Sequence, residues 1–161
     1  MPFILNNLYG FGGRRSSIIN GNDAYTKILL HCDGSDGSTT FTDSNAGGSA
    51  HTWTASGNAQ IDTSTFKFST GSSLFDGTGD YLTSLLNQNL QLGTGDFTVE
   101  CWVYFLSNSG GYQPIISYTG AADANGWIII TETTNYLYAY ASVTTNVWTM
   151  TVSSTTIPTI N

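Results

Sequence analysis

Between Phe97 and Phe105 the side chains alternate in character. Phe97, Val99, Cys101, Val103 and Phe105 fall on one face of an extended backbone, and Thr98, Glu100, Trp102 and Tyr104 on the other. That period of two predicts a half-buried β-strand with one face in a core. Upstream, Leu74-Phe75 is followed by Asp76-Gly77-Thr78-Gly79-Asp80 and then Tyr81-Leu82. Glycines there permit a positive φ and aspartates bond their own backbone, so the segment predicts strand, tight turn, strand.

Composition agrees with a β-protein. The 161 residues are 40% hydrophobic and 13% aromatic, enough for one domain to bury a core without disulfide or metal. Only 9% are charged, against about 25% in an average soluble protein. Serine, threonine, asparagine and glycine must therefore make up the surface. Such a composition disfavours long helices, which draw on Glu, Lys and Ala, and under about 10% helix is expected.

The net charge of -7 is unevenly built, because all four basic residues (Arg14, Arg15, Lys27, Lys67) lie in the first 67 positions. Phosphate backbones and anionic membranes are met by clustered Lys and Arg, so neither nucleic acid nor membrane insertion is expected. No apolar run approaches the roughly 20 residues of a spanning helix. Met1 to Gly13 carries no positive segment ahead of an apolar core, so a Sec signal is not expected, and Arg14-Arg15 leads into polar residues where a twin-arginine signal would need an apolar stretch.

Along the chain, residues 1–22 are rich in Gly and Asn, without clear period, and are expected to form an extended N-terminal arm. Residues 23–161 are expected to form the body. Its strands are predicted near 26–32, 50–54, 58–62, 73–75, 80–84, 97–106, 113–118, 126–132, 136–142 and 147–153. Cys32 and Cys101 each sit in an apolar strand pattern, where a small thiol behaves as a hydrophobe. Buried free thiols are expected over a single disulfide, and His31 and His51 stand at spacings that fit no zinc site.

Several of these segments together resemble the laminin-G-like branch of the concanavalin A-like jelly rolls. Ile28 to Gly34 with Phe41-Thr42-Asp43-Ser44 resembles the family's first strand and loop, and Phe66-Lys67-Phe68 with Ser72 to Gly77 its glycine-flanked second block. Gly79 to Leu82 resembles the next strand, Asp96 to Val103 the most recognisable one, and Pro114 to Ser117 with Gly126 to Ile130 the following hairpin. The resemblance spans about residues 26 to 153 and implies an all-β antiparallel sandwich. It also implies closing strands beyond the point where this sequence stops, at Asn161. The expectation is that the chain continues or that neighbouring copies supply those strands, with the arm crossing to a neighbour.

The same family contains glycanases with clustered carboxylates on one strand, about 5–5.5 Å apart in retaining enzymes. Here the only glutamates, Glu100 and Glu132, belong to different predicted strands, and no strand carries two carboxylates facing one way. No enzyme activity is expected. The resemblance places a structural calcium near Asp43-Ser44-Asn45, with Asp43 as candidate ligand; an Asx-turn built on hydrogen bonds is the other reading of these residues. No further cofactor is expected. Tyrosine and tryptophan present an apolar face to sugar C–H groups, so Trp102, Tyr104 and the loop residue Tyr112 are candidate glycan ligands. Tyr136, Tyr138 and Tyr140 line one strand face, and packing within the protein is the alternative for all the strand aromatics.

The expected function is that of a non-catalytic bacteriophage virion protein, a tail-fibre, head-fibre or decoration component. Its expected partners are copies of itself or other virion proteins and host-surface glycans. The alternative is an extracellular carbohydrate-binding module of a secreted bacterial protein.

Overall fold

A computed structural model describes residues 3–11, 22–85, 90, 95–107, 111–118, 126–142, 147 and 149–158. These residues are all-β, in antiparallel sheets, with no α-helix among them. Among the described residues no helix is long and apolar enough to cross a membrane. The chain divides into two compact units, Met1–Leu85 with Thr94–Leu106, and Leu86–Gly93 with Ser107–Asn161.

In the first unit, β1 (Phe3–Phe11) is bonded along both edges. On one side runs β7 (Thr98–Phe105), from Phe3↔Phe105 to Phe11↔Thr98, with a register shift between Asn6 and Tyr9. On the other side β5 (Ser72–Phe75) covers residues 3–5 and β2 (Leu29–Leu30) covers residues 8–9. The sheet continues from β5 to β4 (Gln60–Asp62). A separate ribbon pairs β3 (Trp53–Ser56) with β6 (Tyr81–Ser84). Residues 3–11, expected within an arm, are thus an interior strand of the chain's own sheet. The backbone explains the difference: β2 and β7 pair with no other strand among the described residues, and β1 supplies their hydrogen-bonding partner.

The core of this unit holds Leu29, Leu30, Phe41, Ala59, Ile61, Phe75 and Phe105. Three hydroxyl residues, Thr26, Ser72 and Ser73, are fully buried among them. An unpartnered hydroxyl in such a place would cost roughly 1–3 kcal/mol. Each has a partner: Ser72 donates to the Thr65 carbonyl at 2.6 Å, Ser73 to Cys32 Sγ at 2.9 Å, and Thr26 Oγ1 accepts the Asp23 amide at 3.0 Å. The Asp76 to Asp80 turn is closed in the same manner. Asp80 accepts the Asp76 and Asn58 amides at 2.7 and 2.8 Å, and Asp76 accepts the Thr78 amide at 2.7 Å.

The second unit is a four-stranded meander in the order β8 (Gln113–Tyr118), β9 (Trp127–Thr131), β10 (Leu137–Ala141), β11 (Met150–Ser153). Pro114 sits on the edge strand β8, where a missing N–H is tolerated, and a bulge follows it. The β9–β10 turn places Asn135 at φ 64° and is held by its amide on the Glu132 carbonyl at 2.7 Å. Directly paired residues share a face. One face therefore carries Ile130, Tyr138 and Ser153, with Ile128, Tyr140 and Thr151; the other carries Ile129, Ala139 and Val152. Tyr118 and Trp127 are buried with stacked rings 6.5 Å apart, and the Trp127 indole donates to the Leu90 carbonyl at 3.3 Å.

Gly57 sits at φ 68°, and a Cβ there would meet Asp80 Oδ1 and, at 2.8 Å, the Gly79 carbonyl oxygen. Gly57→Ala should destabilise the protein by about 2 kcal/mol or more, through the left-handed backbone and the clash together. Gly48, with open space around it, should tolerate alanine within about 0.5 kcal/mol. Urea unfolding of the two variants checks the pair; equal midpoints would refute the turn geometry.

Candidate functional site

Strand β7 carries Trp102 and Tyr104 two residues apart, hence on one face, opposite Val99, Cys101 and Val103. Trp102 is 53% exposed, while Tyr104 is half-buried. The loop between β4 and β5 comes to Trp102. Phe68 meets the indole edge-on, centroids 5.6 Å apart, and the Lys67 ammonium lies over its ring at 5.0 Å. Such a cation–π contact contributes about 0.5–1 kcal/mol at an exposed site.

The loop holds this position because both of its ends are tied. At the start, Asp62 accepts the Ser64 hydroxyl at 2.7 Å and the Thr65 amide at 3.0 Å. Partial burial pushes the Asp62 carboxyl up, and the bonds from Ser64 and Thr65 outweigh it, holding the group below the usual carboxylate value. At the end, Ser72 anchors the Thr65 carbonyl and Asp33 accepts the Thr70 amide at 3.4 Å. Phe66 and Phe68 are 48% and 40% exposed, so indole, phenyl rings and ammonium form a surface open to solvent.

Tyr112, the third candidate, follows Gly111 (φ 113°) just ahead of β8 in the second unit and is 70% exposed. In that unit Tyr138 and Tyr140 stack on each other, centroids 5.8 Å apart and planes 6° apart. Each ring thereby covers a face of the other, and a sugar does not fit between them. The Tyr140 hydroxyl donates to Glu132, which, with some desolvation, pushes its pKa up to about 12. The Tyr138 hydroxyl lies 3.4 Å from Thr134 Oγ1. These two rings are partnered within the protein; Trp102 offers the more open aromatic surface. Lys67 and Phe68 were not among the residues singled out for binding. Their sequence signal is the short Phe66-Lys67-Phe68 tract, part of the glycine-flanked block of the family resemblance, and it lies in the loop between β4 and β5.

Asp43 has a structural task. Its buried carboxylate accepts the Leu29 and Asn45 amides at 2.9 and 3.1 Å on one oxygen. The other oxygen meets the Asn45 side chain, the His51 amide and His51 Nδ1, at 2.9, 2.9 and 2.8 Å. Burial pushes this carboxyl up, but the His51 and Leu29 amides, with the His51 ring and Asn45 side chain, outweigh it and hold it below its ordinary value. An ionised carboxylate only accepts, so His51 Nδ1 carries the proton it shares. Five N–H donors aimed at one group stabilise its ionised form, in the hydrogen-bonded turn that is the other expectation for these residues. No group of three or more His, Cys, Asp or Glu that would hold a metal occurs among the described residues. In the Asp33 to Ser38 segment, Asp36 accepts the Thr63 amide at 3.1 Å, tying that loop to the end of β4.

Cys32 and Cys101 are free thiols, the first buried and the second half-buried. Burial pushes both up to about 11; the Ser73 hydroxyl bond partly offsets this at Cys32, and the Glu100 charge adds to it at Cys101. No family model, curated protein or solved structure matches the chain.

Asp43→Ala should lower stability at pH 7 by about 2–4 kcal/mol, because buried donors lose their acceptor. Since the folded carboxyl titrates below the unfolded value of about 4, its contribution is complete above that pH and fades as pH falls through the folded value. Urea midpoints of wild type and variant should therefore converge in acid, and excess calcium over chelator should move neither. For the thiols, a disulfide reagent at pH 8 should modify Cys101 before Cys32, both far more slowly than in urea; immediate labelling of both would contradict the burial.

Proposed function

We propose that this chain is a non-catalytic structural and binding module of a virion, of tail-fibre, head-fibre or decoration type, that meets host-surface glycans through Trp102. We further propose that its strands build a laminin-G-like sandwich of the concanavalin A-like class. The observation that carries the binding role is the indole of Trp102, open to solvent on a strand and braced by Phe68 and Lys67. A large aromatic surface held rigid, with a polar donor beside it, suits the C–H faces and hydroxyls of a sugar ring.

A non-catalytic role is supported by how the acids are used. Asp36, Asp43, Asp62, Asp76 and Asp80 all accept hydrogen bonds that close turns or join loops, and Glu132 accepts the Tyr140 hydroxyl. The sandwich reading is supported by the agreement of β2 and β5–β9 with the segments that carry the family resemblance. A virion setting is supported by the surface chemistry. Residues 133–161 contain no charged side chain, and edge strand β11 is exposed along its length. Uncharged strand edges of this kind are suited to meeting further strands in an assembly.

Trp102→Ala should reduce affinity for host-surface polysaccharide by about tenfold, equal to ~1.4 kcal/mol, and lower stability by about 1–2 kcal/mol through the lost Phe68 and Lys67 contacts, leaving the protein folded. Affinity electrophoresis in polysaccharide-loaded gels measures the first and unfolding the second. Undiminished retardation of the variant would remove Trp102 from the binding role.

A further inference from the structure

Resting on the glycan reading of Trp102, the geometry points to an acidic saccharide as its ligand: a ring that stacks on the indole and carries a carboxylate or sulfate to the Lys67 ammonium. The argument begins with what already occupies the indole. The ammonium of Lys67 lies over the ring, 5.0 Å from its centre. A neutral sugar approaching that face must displace the cation and offers it only neutral hydroxyl acceptors. An acidic sugar takes the same face and supplies the displaced ammonium with a charge-assisted partner, which is the stronger kind of hydrogen bond. Lysine has a flexible four-carbon stem and three donors, so it can swing to the rim of the ring without leaving the site.

The surroundings leave Lys67 available for that exchange. Of the basic residues in the described segments, Lys27 donates to the Gly47 and Ala24 carbonyls at 2.7 and 3.5 Å. Lys67 has no carboxylate within ion-pair range among the described residues, where the only such pair is His51 with Asp43. The acid nearest to it in sequence, Asp62, is committed to Ser64 and Thr65. Glu100 shares the exposed face of β7 with Trp102, yet the Lys67 ammonium stays over the indole and outside ion-pair range of every described carboxylate, which leaves it to an incoming anion. The net charge of -7 opposes anions at a distance, but that field is screened beyond about 8 Å at physiological ionic strength. Contact selectivity is therefore set by the local cation.

The test uses the full chain at physiological ionic strength and a matched pair of disaccharides that differ only in a hydroxymethyl group replaced by a carboxylate. A sialylated and a sulfated saccharide, added as further probes, separate the sources of negative charge. Calorimetry on wild type should show a preference of about fivefold for the acidic member. Lys67→Gln should abolish that preference, weakening the acidic sugar and strengthening the neutral one, because the indole face is then unobstructed. Lys67→Arg should retain the preference, and Trp102→Ala should weaken both sugars. Equal binding of the pair by wild type, or a preference that survives Lys67→Gln, overturns the inference while leaving the glycan reading in place. A wild type that binds none of the saccharides sinks both. An oligoglutamate peptide that binds as tightly as the acidic sugar overturns it too, since the charge alone would then be recognised.

Discussion

The backbone of β1 is the constraint on which the first unit depends. Its residues exchange hydrogen bonds with β7 on one edge and with β5 and β2 on the other. Removing it would leave β7 without a strand partner among the described residues and β2 with only its bonds to the Asp43–Ser44 segment, and a buried backbone group tolerates the loss of a partner poorly. The pairing also joins residues far apart in sequence: Phe3 faces Phe105 and Phe11 faces Thr98. Contacts of such separation form only after a large loss of loop entropy, which slows the folding of sheets built on them.

That dependence explains which parts of the fold could be read from residues alone. Strands β2–β11 lie within or beside the segments where apolar and polar residues alternate or where glycine and aspartate mark turns. In β7 the pattern survives into the structure, with Thr98, Glu100 and Trp102 exposed and Val99, Cys101 and Val103 more covered. Strand β1 was not readable because its register shifts between Asn6 and Tyr9. An irregularity of that kind breaks a period of two, and the aromatic and aliphatic residues on its two sides no longer look like one face. Cys32 deviated for a related reason: it lies just beyond β2 at φ 57°, a turn conformation that an apolar alternation does not disclose.

The side-chain chemistry follows from a shortage of bases. With four Lys and Arg against 11 Asp and Glu, carboxylates cannot be satisfied by ion pairs, and they turn to N–H and O–H donors. Asp43 collects five of them, and Asp62, Asp76 and Asp80 hold their turns with the same chemistry. Sequence spacing alone could not separate this use of Asp43 from cation binding, since both require an acid beside polar neighbours. The direction of the surrounding dipoles separates them. Donors converging on the oxygens stabilise the negative charge that a calcium ion would otherwise be needed to balance.

Trp102 was readable as a candidate because it interrupts the polar face of an amphipathic strand, but its partners were not. Phe68 and Lys67 reach it through a loop whose path depends on Asp62, Ser72 and Asp33, residues with no local signature of binding. The arrangement nevertheless has a mechanical logic. An indole on a strand is fixed by the sheet, and an edge-on phenyl ring limits its rotation, so little conformational freedom is left for a ligand to remove. The cation above the ring is carried on a four-carbon stem of freely rotatable bonds. For the saccharide site proposed above, rigidity resides in the aromatic surface and adaptability in the charge, so that a site of few residues would require both a ring and an anion of its ligand.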